Sequence, residues 1–159
     1  MKRWFAACAA LVMFAAGFST TASAQEGATV KVNITGLKGK EGVALITLYD
    51  SEQAWMNIPK AVQVLRLKIT GATMTVEFKG VKPGTYAVSV VHDANKNNEL
   101  DMRWLPWPQP KEGAGYSKIS AEEKKESAQK PGQSPKWADS KFDVADKDTS
   151  VSAAVKYYD

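Results

Sequence analysis

Cysteine is almost missing from this chain of 159 residues; Cys8 is the only one. It falls within an N-terminal stretch that reads as an export leader, so the processed polypeptide is expected to have none. That excludes disulfides, thiolate metal sites and thiol catalysis together. Histidine is equally scarce, with His92 alone. No Gly-x-Ser-x-Gly elbow, Walker or dinucleotide glycine pattern, or His-Glu-x-x-His motif is present, so most familiar chemistries lack their parts and the chain is expected not to be an enzyme. Beyond the leader, no segment approaches the ~20 apolar residues of a bilayer span. Charge of one sign is wanting too. There are 21 Lys and Arg against 17 Asp and Glu, and losing Lys2 and Arg3 with the leader lowers the net charge from +4 to about +2. So small a surplus excludes a nucleic-acid binder, which needs a concentrated basic stripe.

The leader has the three parts of a signal peptide. Met1-Lys2-Arg3 is basic, Trp4 to Phe18 is apolar, and Ala22-Ser23-Ala24 offers the small residues that a signal peptidase reads. Cleavage is expected after Ala24. Residues 1–24 are then the signal peptide and residues 25–159 a single domain, located in the periplasm or outside the cell. A domain of about 135 residues can bury roughly two-thirds of its unfolded surface and support its own core.

Alternation of apolar and polar residues predicts a series of short strands. Thr29 to Thr35 puts Val30, Val32 and Ile34 on one face, whereas Val43 to Tyr49 is apolar on both faces and should be central. Val62 to Ile69 changes phase, which predicts a bulge near Val64 and Leu65 with Val62, Val64, Leu65, Leu67 and Ile69 facing inward. Met74, Val76 and Phe78 alternate cleanly. Pro83-Gly84 predicts a tight turn with Gly84 at positive φ, and Thr85 to Val91 returns from it. Val151, Ala153, Val155 and Tyr157 close the chain facing inward, and Lys141 to Ala145 offers a seventh strand. A helix is expected at Ala121 to Gln129, capped by Ser120 and Glu123, inside a solvated excursion that runs through Lys124 to Pro135. Too few residues separate the early strands for helical crossovers, so parallel α/β folds are excluded. The fold class is all-β: one immunoglobulin-like or transthyretin-like β-sandwich of about seven strands with a long irregular excursion.

Two segments interrupt the strands. In the first, Asp93, Asn95, Asn97 and Asp101 fall at positions 1, 3, 5 and 9 of a loop, with the Glu99 carbonyl at position 7 and Asn98 where an EF-hand has glycine. Calcium needs six to eight oxygens, and such a loop either binds Ca²⁺ weakly or is an Asx-rich structural clasp. Position 12 is Trp104, so the bidentate Glu of an EF-hand is missing. The second segment sets Trp104 and Trp107 among prolines, which rules out helix or internal strand. With Tyr116 these rings could form a platform for a sugar or peptide, or they could fold back to seal the sandwich. His92, at a strand end, is expected to be a hydrogen-bonded structural residue.

Gly80-Val81-Lys82-Pro83-Gly84-Thr85-Tyr86, then His92-Asp93-x-Asn95-x-Asn97-x-x-Leu100-Asp101, then Pro110-Lys111-Glu112-Gly113-x-Gly115-Tyr116-Ser117 together resemble the DUF2141 family of secreted bacterial proteins. The resemblance covers nearly the whole mature chain and implies a small exported β-sandwich. It implies no particular activity. Residues 103–109 and 119–137 depart from the family pattern. The function expected is that of a monomeric binding or accessory module of the cell envelope, with an envelope or extracellular ligand and Ca²⁺ as the one candidate cofactor. A carbohydrate or peptide binder using Trp104, Trp107 and Tyr116 is the main alternative. A hydrolase of envelope polymers, built on a carboxylate pair, is the third.

Overall fold

Apolar residues at every second position form strands because a pleated backbone sends alternate side chains to opposite faces. The computed structural model describes residues 27–98, 101–104, 109–119 and 135–157, and strands dominate them. In chain order they are β1 (Ala28–Thr35), β2 (Val43–Tyr49), β3 (Gln63–Lys68), β4 (Met74–Val81), β5 (Gly84–Asp93), β6 (Met102–Arg103), β7 (Gln109–Pro110), β8 (Gly113–Tyr116), β9 (Phe142–Val144) and β10 (Thr149–Ala154). A 3₁₀ turn (Ile58–Lys60) and one turn of helix, α1 (Trp137–Ser140), complete the regular structure.

Two sheets pack face to face as an all-β sandwich. The smaller has the order β10-β1-β4, with β1 antiparallel to β4 and parallel to β10. The larger has the order β3-β2-β5-β8, and β9 pairs with the first residues of β5 on the edge that β8 occupies further along. Between the sheets lie Val30, Val32 and Ile34 of β1, Ile46 and Leu48 of β2, Phe78 of β4, Val88 and Val90 of β5, and Val151 and Ala153 of β10. Burying each large side chain is worth about 1.5–3 kcal/mol, which makes this layer the main source of stability. The side chains expected to face inward from β1, β4, β5 and β10 do so, and β2 is the central strand expected, flanked by β3 and β5.

The glycines of β8 close one side of the sandwich. Ala114 and Ser117 form bridges to Lys156 and Ala153, and a Cβ added at Gly115 would sit 2.9 Å from the Ala154 carbonyl oxygen and 3.1 Å from the Val155 Cα. Only glycine lets the two backbones approach this closely.

Three expectations need correction. β3 pairs with β2 in unbroken register from Gln63↔Leu48 to Lys68↔Val43, without the bulge predicted near Val64 and Leu65. It is an edge strand: Val62 and Val64 are exposed instead of facing inward. Leu65 packs against the core, Ile69 is buried in it, and Leu67, on the inner face opposite Ala44, is left partly open at the edge. A register shift does occur where β1 meets β4: between the pairs Ala28↔Val81 and Val30↔Phe78, β4 holds one residue more than β1, so the bulge lies in β4 at Lys79-Gly80. At the Pro83-Gly84 turn Gly84 is not left-handed; the nearby positive φ, 68°, belongs to Gly80 within β4, at its bulge. The excursion meets the fold at its last residue: Pro135 is buried, and its carbonyl accepts a 2.8 Å hydrogen bond from the Trp55 indole. The expected signal peptide and the helix at 121–129 lie outside the described residues.

Candidate functional site

The central strands β2 and β5 are buried on both faces, so something must cover the outer face of the large sheet. Cross-strand pairing lays that face out in rows: Lys68, Val43 and Asp93; then Arg66, Leu45, Val91 and Ala114; then Val64, Thr47, Ser89 and Tyr116; then Tyr49 and Ala87. At the last row Trp55 stacks edge-on against Tyr49, 5.3 Å between centroids, and against Trp137 at 5.9 Å. Tyr49, Ala54, Ala87 and Trp137 form a second, smaller core there.

The 93–101 loop crosses the first row and is knitted by its own polar groups. Asp93 is fully buried, and its two oxygens accept the backbone N–H groups of Asn97 at 3.0 Å and Asn98 at 2.9 Å. The Asn95 amide donates to Asp101 at 2.7 Å, and the Asn97 amide donates to the other Asp101 oxygen at 3.2 Å. Lys96 and Asn98 take left-handed conformations, with φ of 65° and 67°, as the sequence anticipated for Asn98. Two residues that sequence reading missed complete the clasp. Glu112, buried, accepts the Ala94 N–H at 2.9 Å and the Asp101 N–H at 3.4 Å, joining the loop's ends. Arg66 reaches over β2 from the edge strand, donates to the Asn98 side chain and to the Lys96 carbonyl, and pairs with Asp93 at 3.7 Å.

Of the proposed calcium ligands, Asp93, Asn95, Asn97 and Asp101 are thus brought together, while Glu99 lies outside the described residues. Among the described residues no group of three or more His, Cys, Asp and Glu side chains is placed to hold a metal ion. The aromatic platform is not assembled as expected. Trp104 is 70% exposed and does not fold back, whereas Tyr116 is buried, with its ring 6.0 Å from that of Trp55. Trp107 lies outside the described residues.

His92 is held by a chain of hydrogen bonds, as expected of a structural residue. A carbonyl can only accept, so Nε2–H donates to the Glu41 oxygen at 2.9 Å and Nδ1 is left as an acceptor. Tyr157 supplies that bond at 2.5 Å and itself accepts the Lys38 N–H at 2.9 Å. Burial pushes the Tyr157 hydroxyl above its ordinary pKa, partly offset by the Lys38 bond.

Between the two covers of the outer face a cleft of about 460 Å³ remains. Its floor is Leu45, Thr47, Tyr49, Ser89 and Val91; residues 56–59 form one wall and Asn98 the other. The hydroxyls of Ser89 and Thr47 hydrogen-bond that of Tyr49, lowering its pKa, but burial outweighs them and the net shift is upward. Both walls include left-handed residues that are not glycine, Met56 with φ 62° as well as Asn98. The cleft has the usual make-up of a small-molecule site, apolar walls with a few convergent polar groups.

A family described as "Uncharacterized protein conserved in bacteria (DUF2141)" matches residues 32–152. The chain belongs to the DUF2141 family. The matched span starts within β1 and ends within β10, so the DUF2141 match takes in both sheets, the 93–101 loop and the floor of the cleft. No curated protein and no solved structure is detectably similar to the chain. No helix among the described residues is long and apolar enough to cross a membrane.

Proposed function

We propose that this DUF2141 protein is an exported binding module of the bacterial cell envelope, and that its ligand is a small, mostly apolar molecule held in the cleft between residues 56–59 and Asn98. The N-terminal leader supports export. The observation that carries the binding reading is the cleft itself: a floor that combines Leu45 and Val91 with three linked hydroxyls, left as a gap between the two covers of the outer face. Strained backbone on both walls fits a site held ready for a ligand. In this reading the 93–101 loop is a clasp, with the guanidinium of Arg66 supplying the positive charge that the buried Asp93 requires. Binding, not catalysis, is the activity, and His92 serves the fold through its two engaged ring nitrogens.

The test uses N-phenyl-1-naphthylamine, an uncharged probe that brightens in apolar surroundings. Saturable brightening is expected for the wild type, with at least a tenfold weaker response for Ile58→Lys, which puts a charge at the mouth without touching either core. Equal brightening in both proteins would remove the cleft from consideration. A second reading rests on Trp104, whose 70% exposure suits stacking against a sugar face. It predicts quenching of tryptophan fluorescence by envelope glycans that Trp104→Ala abolishes.

A further inference from the structure

At the end of the outer face where β2 begins, a separate groove of about 720 Å³ lies between the β1–β2 loop, the end of β3 and the 93–101 loop. Three lysines from those three segments line it: Lys40, Lys68 and Lys96, all exposed. Arg66 lines it too, but its charge is committed to Asp93. Glu41 is the only carboxylate in the lining, and among the described residues no carboxylate pairs with any of the three lysines.

Each lysine rises from a fixed piece of backbone. Lys96 is pinned on both sides, its carbonyl by Arg66 and the next N–H by Asp93 and Asn95. Lys68 lies in register opposite Val43. Lys40 precedes Glu41, whose carbonyl is taken by His92. Convergent cations repel one another, and an anion between them removes that cost while gaining from all three. A net charge of only +4 over the 159 residues hides this concentration.

We propose that the groove binds a compact anion carrying more than one phosphate group. Ammonium groups act as point charges suited to phosphate. A phosphate monoester brings close to two charges in a small volume, so few groups satisfy three lysines. The groove is too small and too short of cations for a nucleic-acid duplex. This site is separate from the cleft and stands or falls independently of it.

Inorganic tripolyphosphate, titrated calorimetrically at low salt, is the probe. Saturable binding that weakens steeply with ionic strength is expected, with a loss of at least tenfold in Lys68→Glu/Lys96→Glu. Lys79→Glu/Lys147→Glu makes the same change of charge elsewhere and should bind as the wild type does. Circular dichroism of both double variants checks that they fold. Absence of saturable binding, or an equal loss in the two variants, would overturn the proposal. Citrate binding as tight as tripolyphosphate would overturn the phosphate class. Sedimentation with phosphatidate vesicles, lost in Lys68→Glu/Lys96→Glu, supports a lipid headgroup as the source; tripolyphosphate binding without sedimentation supports a soluble one.

Discussion

Arg66 and Asp93 belong to strands that are not neighbours, yet the guanidinium lies 3.7 Å from the carboxylate across the width of β2. Asp93 is buried, whereas the Arg66 side chain is 37% exposed, so removing the arginine leaves a buried charge that water reaches poorly. Arg66→Met is expected to cost about 1–3 kcal/mol, less than for a wholly buried pair. Arg66→Met and Asp93→Asn together should cost less than their sum. The exposed Lys31–Glu77 pair, at 3.5 Å, gives the contrast: Lys31→Ala should change stability by no more than about 0.5 kcal/mol. Urea unfolding of the variants checks both statements.

Calcium gives a second test of the same clasp. With Arg66 supplying the positive charge, millimolar Ca²⁺ should leave the thermal midpoint of the wild type where it was. A site saturated at 100 times its dissociation constant would add about 2.7 kcal/mol and raise the midpoint by several degrees. A rise of that size, lost in Asp93→Ala, would return the loop to the metal-binding proteins.

Tyr157 joins the β1–β2 loop to β5 through one hydroxyl. Tyr157→Phe removes the acceptor of the Lys38 N–H and the donor to His92 Nδ1. An expected cost of about 1 kcal/mol follows mainly from leaving the part-buried His92 Nδ1 unpaired, since the Lys38 bond is exposed and water can replace it. Hydrogen exchange at the Lys38 amide should accelerate more than exchange within β4.

Alkali should act through Tyr49. Burial raises its folded pKa above the ordinary 10.0, so the folded state holds the proton after the unfolded state has released it. The resulting stability is complete below about pH 10 and is lost as pH rises through the folded value. Tyr49→Phe is expected to be less sensitive to alkali, as measured by urea midpoints at pH 9 and pH 11.

Gly115 admits no side chain, because a Cβ would meet backbone atoms of Ala154 and Val155 that cannot swing aside. Gly115→Ala should therefore destabilise by about 1–3 kcal/mol through overpacking. Ala114→Gly, next to it, should cost less in the same denaturation experiment.

These positions also show where sequence reading succeeds. β1, β2, β4, β5 and β10 are visible because each has at least one face in a core, and burial imposes a period of two on the apolar residues. β8 escapes notice for the opposite reason: Gly113, Ala114 and Gly115 present almost no apolar side chain, and the strand exists because their smallness lets backbones touch. In β3 the pattern misleads at Val62 and Val64, which an edge strand leaves exposed, whereas Leu65 obeys it and packs against the core. The Asx-rich loop is legible as a loop, but Arg66 and Glu112 reach it from other strands, at separations no local motif encodes. The cleft left only one trace in the sequence. Val43 to Tyr49 is apolar on both sides, which says that the outer face is covered without saying by what.

Parallel pairing of β1 with β10 joins nearly the first described residues to nearly the last. A polypeptide made amino end first can form the β2–β5 ladder early. Its smaller sheet must wait, with one side of β1 bare, until the carboxyl end emerges. Completion of the sandwich is thereby tied to synthesis of β10, and a product truncated before it would display an unpaired ribbon edge to quality-control proteases.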